Sequence, residues 1–221
     1  MQRFFDIIFS GLALIIFSFF LIPLAIILRF TGEGEVFYIQ PRVGKDGKKF
    51  GVFKFATMLK DSENMGTGTV TVKNDPRVLP VGKFLRKTKI NELPQLINIF
   101  LGDMSVIGPR PQTERCFLAF PQKSQDAIIK VKPGLSGIGS VVFRDEENLL
   151  DNSNIDRVKY YDDVIAPYKG ELAEWYVEHQ SLYIYFILIG LTVWIILFPD
   201  SKIYNKILRD LPKAPEELEG L

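Results

Sequence analysis

The sequence predicts an α/β chain of the α+β kind: an apolar N-terminal helix embedded in a membrane, followed by a small cytosol-facing domain of helices with short β-hairpins. Three observations carry that expectation. Residues 7–28 are 22 consecutive uncharged positions, about 33 Å as a helix at ~1.5 Å per residue, which matches the hydrocarbon thickness of a bilayer. Short β-forming runs then follow, divided by Gly-containing turns. Beyond them, segments with helical patterning alternate with loops and Pro-Gly turns.

The apolar segment runs directly into Arg29, Phe30, Thr31 and Gly32, without the short core and small-residue cleavage site of a signal peptide, so it is read as retained. Pro23 removes one backbone donor inside it and predicts a kink near Ile22. A straight span satisfies the pattern. A kinked helix that enters and leaves on one face does so too, leaving Arg3 and the basic block after Arg29 on the same surface.

In the soluble part, residues 36–40 and 51–55 read as strands joined by a turn at 44–47, a β-hairpin. Residues 63–75, rich in Gly, Thr and Asn, read as a loop, and the lone Gly66-x-Gly68 in it is too short a pattern to define a phosphate loop. Residues 81–88 and 92–101 read as helices, with Pro94 in the first turn of the second. Residues 104–107 form a short strand closed by Gly108, and 132–138 a turn and strand. Residues 156–178 read as helix with His179, the only histidine, just past its end in a structural place. Residues 181–198 are apolar all round, as in a buried core helix or a second membrane element. Lys202, Lys206 and Arg209 then alternate with apolar residues, as an interfacial helix would. The expected divisions are a membrane helix over 1–32, a catalytic domain over 33–180 and an apolar helix with an amphipathic tail over 181–221.

Composition narrows the function. A single cysteine, Cys116, excludes an internal disulfide framework and a multi-cysteine zinc site and points to a reducing compartment. The net charge of +1 hides an asymmetry: residues 40–90 hold 12 Lys/Arg against 4 Asp/Glu, residues 144–178 hold 4 against 10. The first half therefore favours anions. No DNA- or RNA-binding module accompanies that charge, so nucleic acid is not an expected partner. Anionic lipids and nucleotide phosphates are. The helix start near Arg86, Lys89 and Glu92 is a natural anion site. Arg110, between Pro109 and Pro111, sits on stiff backbone that holds its planar fork of donors ready for phosphate.

Together these features resemble the bacterial sugar transferase family, the monotopic phosphoglycosyl transferases. The resemblance runs nearly end to end. It rests on the proline-bearing N-terminal helix, Val36-Phe37 with Gln40 and Arg42-Val43-Gly44, Lys54-Phe55, Asp75-Pro76-Arg77, Gly82 and Arg86. It continues through Glu92-Leu93-Pro94-Gln95, Gly102-Asp103-Met104-Ser105, Gly108-Pro109-Arg110-Pro111, and Pro133-Gly134-Leu135 with Gly137. The resemblance implies an inner-membrane enzyme with a re-entrant helix and its domain facing the cytoplasm. It would move a sugar 1-phosphate from a UDP-sugar to undecaprenyl phosphate with Mg²⁺, release UMP, and so start lipid-linked polysaccharide or glycoconjugate synthesis. It also implies that Lys54, Arg86, Arg110 and Arg144, with Pro109 and Pro111, surround the diphosphate, and that Glu92 helps hold the metal.

The chain departs from the family pattern at a central position. Where the family has an Asp-Glu pair whose Asp attacks the β-phosphorus, this chain has Asn91-Glu92, and an amide is a poor nucleophile. Three routes follow: direct attack by undecaprenyl phosphate, a covalent role moved to Glu92 or Asp103, or a non-catalytic protein that binds UDP-sugar or lipid phosphate as a scaffold or regulator. Ile22, Ala56 and Val142-Phe143 are further departures, and Ala173 stands where the family has an acid flanked here by Glu171 and Glu174. Residues 62–71 and 144–154 are the expected place for sugar contacts.

Overall fold

The computed structural model describes residues 1–65, 75–144 and 156–218; most of both expected sugar-contacting loops lies outside the described residues. Helix α1 (Gln2–Arg29) continues through Pro23 and is long and apolar enough to cross a membrane. Its buried positions are confined to its two ends: Asp6 and Ser10 near the start, Leu24 and Leu28 near the finish. Ile15, Ile16, Phe19, Phe20 and Ile22 between them are exposed.

Both ends are tied to the same domain. At the start, Gln2 Nε2 donates to Ser105 Oγ (2.9 Å) and to the Ile107 carbonyl (3.1 Å), and Arg3 donates to the Ile99 and Phe100 carbonyls. Asp6 Oδ1 accepts from Ser105 Oγ, Val106 N and Tyr185 Oη at 2.9–3.0 Å. A carboxylate inside an apolar helix is tolerated only with such satisfaction. At the finish, Leu24 and Leu28 pack with Phe55 and Leu85.

Strands β1 (Phe37–Val43) and β2 (Lys49–Phe55) form the expected hairpin, longer at both arms, with Tyr38 opposite Lys54 and Gln40 opposite Val52. Asp46 and Gly47, both at positive φ, close the turn. Because side chains alternate along a strand, Gln40, Arg42 and Lys54 share one face. Helix α2 (Pro80–Lys87) begins with proline at its first position and lies against the Thr57 carbonyl, where any β-carbon at Gly82 would stand 2.2 Å from the oxygen. The next helix starts later than expected. Lys89 is left-handed (φ 58°), residues Ile90–Glu92 form a tight 3₁₀ turn, and Pro94 caps α3 (Gln95–Leu101) instead of lying in its first turn.

The second sheet corrects the expectation of hairpins. Strand β3 (Ser105–Ile107) pairs with β4 (Gly134–Ser136) in parallel. A parallel pair needs a crossover, supplied by α4 (Glu114–Leu118) and α5 (Gln122–Ile128). The strands approach closely: a β-carbon on Gly134 would lie 2.1 Å from Gly108 N, and one on Gly137 2.2 Å from Gly108 O.

After α6 (Ile138–Val142), the predicted helix over 156–178 forms in three pieces. They are α7 (Arg157–Tyr160), a π turn over Tyr161–Ile165, and α8 (Ala166–Glu178). Pro167 offers no N–H to the preceding turn, and widening to the π spacing accommodates the loss. Helix α9 (Leu182–Leu197) buries Ile184, Tyr185, Leu188, Leu191 and Ile195 in the main core, against α6, β3 and β4, and exposes Tyr183, Val193, Ile196 and Leu197. Short α10 (Tyr204–Ile207) seats Tyr204 and Leu208 in the same core. His179 stacks on Trp175 and its Nε2 lies 2.9 Å from Asp210 Oδ2, the structural place expected of it.

The Asp75-Pro76-Arg77 motif is a clamp. Arg77 donates from Nε and Nη2 to the two Asp75 oxygens (2.9 and 2.6 Å) and from Nη1 to the Ser62 and Met65 carbonyls. Both side chains are almost fully buried. Asp75→Ala removes the carboxylate that meets Arg77 at two atoms and is expected to lower stability in denaturant unfolding.

Candidate active site

Three chain segments meet at Glu92. The tight turn after Lys89 presents its carboxylate, the hairpin face presents Gln40, Arg42 and Lys54, and the Pro-Arg-Pro turn presents Arg110. That last turn is fastened on both sides: Val43 N donates to the Gln112 carbonyl (2.9 Å) and Arg42 Nη1 to the Pro111 carbonyl (3.2 Å), while Gly134 N donates to the Pro109 carbonyl (2.8 Å). Arg110 Nη2 then donates to Glu92 Oε1 at 2.6 Å, with 16% of the Glu92 side chain and 44% of the Arg110 side chain exposed. Gln40 Oε1 accepts from both Arg42 Nη2 (2.5 Å) and Lys54 Nζ (3.2 Å) and holds the two cations side by side.

Electrostatics separate these groups. Burial would raise the Glu92 pKa, but the charges of Arg110, Lys54 and Lys89 and the hydrogen bond from Arg110 outweigh it and bring the value to about 2. Lys54 falls to about 7, first through burial and then through Arg42, with Glu92 opposing and Arg110 and Arg86 adding to the fall. Burial and then Arg110 also lower Arg42. A diphosphate bound here would favour the charged forms of Lys54 and Arg42.

Glu92, Arg110, Lys89, Pro109 and Lys169 line a cavity of about 720 Å³. Its remaining wall is mostly apolar, including Phe120, Leu135, Ile138, Phe143, Ile189 and Val193. Two polar atoms on that wall, Ser140 Oγ and Arg144 Nη1, are buried without a hydrogen-bond partner among the described residues. The cavity therefore brings charged groups and apolar surface into one space.

Of the residues expected at the site, Glu92, Pro109, Arg110 and Arg144 line this cavity, Lys54 acts on the charge of Glu92 from the hairpin, and Arg86, on α2, acts on that of Lys54. Arg86 Nη1 rests 3.6 Å from Met58 Sδ. Pro111 is buried and serves through its carbonyl. Asn91 does not line the cavity; its amide oxygen is buried and has no hydrogen-bond partner among the described residues. Asp103 is likewise absent from the cavity wall. Neither acid flanking Ala173 replaces the missing one: Ala173 lines the wall, Glu174 pairs with Lys123 (2.6 Å) and Ser124 (2.6 Å), and Glu171 is exposed. Ser140 and Lys169 were not expected. Lys169 lies one helical turn before Ala173, a spacing that could have revealed it, and sits over the Phe143 and Tyr161 rings.

Among the described residues Glu92 is the only Asp or Glu on the cavity wall, and no group of three metal-ligating side chains occurs. This donor set suits Mg²⁺ held by one carboxylate, substrate phosphates and water, and does not suit a metal caged by protein alone.

The proton balance of Lys54 is testable. A bound diphosphate stabilises its charged form and raises its pKa, so binding takes up a proton above about pH 7. Calorimetry with a UDP-sugar in buffers of different ionisation enthalpy is expected to show uptake near pH 8 and much less near pH 6.

The arrangement joins a cluster of cations around the Glu92 carboxylate to a largely apolar cavity. The chain belongs to the bacterial sugar transferase family, whose model matches residues 1–199. A UDP-glucose:undecaprenyl-phosphate glucose-1-phosphate transferase of Klebsiella pneumoniae is 41% identical over 142 residues, 63% of this chain and 30% of that protein. A UDP-N-acetylgalactosamine-undecaprenyl-phosphate N-acetylgalactosaminephosphotransferase of Aeromonas hydrophila is 36% identical over 143 residues, 64% of this chain and 34% of that protein. The exopolysaccharide production protein ExoY of Rhizobium meliloti is 34% identical over 159 residues, 66% of this chain and 70% of that protein. The match thus spans about a third of the length of the first two relatives.

Proposed function

We propose that this chain transfers a sugar 1-phosphate from a UDP-sugar to undecaprenyl phosphate, releasing UMP and starting lipid-linked glycan synthesis at the cytoplasmic face of the inner membrane. The observation that carries the reading is the junction of the Glu92 and Arg110 cluster with the apolar cavity. The relatives' substrates pair a diphosphate with a long hydrocarbon, and the junction suits both.

In this reading Arg110, Lys54 and Arg42 bind the donor diphosphate, and Arg144 and Ser140 receive the acceptor phosphate. Glu92 would hold Mg²⁺, which when bound neutralises charge on the diphosphate oxygens. The acceptor phosphate is itself an oxyanion, so it attacks the sugar-bearing β-phosphorus in line. A P–O bond forms there as the bridging bond to the α-phosphate breaks, and UMP leaves with that electron pair. No protein nucleophile is required, which fits an amide at Asn91. The non-catalytic alternative gains no support from relatives that carry transferase names.

The attachment of α1 at both ends supports a re-entrant path. A helix fixed to one domain near Gln2 and again near Leu28 brings both ends to that domain's side of the bilayer, with the exposed Ile15 to Ile22 region deepest in lipid.

Mass spectrometry of detergent-solubilised protein given undecaprenyl phosphate, Mg²⁺ and single UDP-sugars is expected to find one sugar diphospholipid; no product from any donor contradicts the assignment. The route is tested by exchange of labelled UMP into UDP-sugar without acceptor. Direct transfer predicts no exchange, and no gain in turnover for Asn91→Asp. Exchange by the wild-type protein would show a covalent intermediate.

A further inference from the structure

Lys45 at the hairpin tip and Lys130 and Lys132 after α5 converge on a recess of about 160 Å³ beside Gln2 and Arg3 of α1. The recess shares no residue with the cavity that holds Glu92. None of these three lysines has a side-chain hydrogen bond or ion pair among the described residues. The two anionic groups within reach do not pair with them. Asp6 spends its Oδ1 on Ser105, Val106 and Tyr185, and Asp103 is the longer-range partner, in contact with Asn98 at 3.5 Å. Burial, Arg3 and Lys45 lower the pKa of Lys132, with Asp6 and Asp103 opposing, a sign that the recess repels its own cations.

Its position says what would relieve that repulsion. Gln180 Nε2 donates to Gln2 Oε1 (3.1 Å), Asp6 meets Tyr185, and Phe5 and Phe9 meet Phe186. The starts of helices α1 and α9 therefore meet beside the recess. Phe4 and Ile8 of α1 and Tyr183 and Phe186 of α9 are exposed next to it. If these faces contact lipid, the recess lies at the depth of the headgroup phosphates, and a ligand whose phosphate sits among the lysines has apolar surface waiting for its chains.

We propose that this recess binds the phosphate of an anionic glycerophospholipid and fixes the hairpin and the start of α1 against the membrane surface. The inference rests on the lipid-facing reading of α1 and α9 and is independent of the transfer chemistry. A phosphodiester satisfies Lys45, Lys130 and Lys132 together, while a neutral zwitterionic headgroup brings its own cation to a site that already holds several.

The test is native mass spectrometry of the full chain titrated with phosphatidylglycerol or phosphatidylcholine in detergent, which reads binding without turnover. One retained phosphatidylglycerol is expected, weakened at least about tenfold in the triple variant Lys45→Gln, Lys130→Gln, Lys132→Gln, since each lysine near a membrane surface contributes ~1 kcal/mol. Removing equal charge elsewhere, with Lys83→Gln, Lys159→Gln and Lys213→Gln at exposed positions, is expected to leave it bound. Circular dichroism establishes that both variants are folded, and Lys132→Arg, which keeps the charge, is expected to retain the lipid. Equal retention of the two lipids, equal loss in both triple variants, or competition by millimolar glycerol 1-phosphate as effective as by the lipid would overturn the proposal, the last by making the recess a site for soluble phosphate.

Discussion

Glu92→Gln is expected to lower turnover by about 10³-fold while UDP-sugar binding survives, because the substitution removes the carboxylate that faces the diphosphate and leaves the cations in place. The same variant has a stability signature. Glu92 titrates at about 2 in the folded chain against an ordinary 4.5, so its contribution is fully present above pH 4.5 and is lost as pH falls towards 2. The size is on the order of 3 kcal/mol. The wild-type protein should therefore lose stability through this acid window, and the glutamine variant should start lower and show a flatter acid limb. A variant with wild-type turnover would remove Glu92 from the chemistry.

The second large effect runs in opposite directions for stability and activity. Lys54 titrates near 7 when folded against 10.5 when free, so between those values the unfolded chain binds more protons than the folded one. The resulting penalty is absent above about pH 10.5, grows as pH falls, and is complete below about pH 7. Lys54→Met removes it and keeps the apolar stem, and is expected to stabilise the protein by on the order of 2–4 kcal/mol at neutral pH. Turnover should fall by roughly 10²-fold as the diphosphate loses a cation. The proton uptake on UDP-sugar binding should vanish with it. A destabilised variant would mean that Lys54 is held mainly by favourable contacts and not by function.

Much of this was legible in the sequence because it depends on local chemistry. The hairpin follows from β-forming runs around a Gly turn, and α2 from Pro80 and the helical residues after it. The stiff Pro109-Arg110-Pro111 turn was expected to present a guanidinium, and it does. What sequence could not supply were the long-range partners. Nothing local says that residues 105–107 pair in parallel with 134–136, since the glycines that permit it, Gly108, Gly134 and Gly137, lie on different segments. Gln40 as the bracket between Arg42 and Lys54 required the strand register. Ser140 and Lys169 reach the cavity only through the packing of α6 and α8. The apolar run over 181–198 was open between a core helix and a membrane element because periodicity cannot see which face has a partner; α9 buries one face and exposes the other.

Asn91 is the residue at which the chain leaves its family's pattern, and its amide, a poor nucleophile, is what makes direct transfer the economical account. The most direct measurement is UMP release by the purified protein with Mg²⁺ and its UDP-sugar, in the presence and absence of undecaprenyl phosphate. The account predicts release that requires the lipid and saturates with it. Release that is equally fast without lipid, or none with any donor that binds, would contradict it.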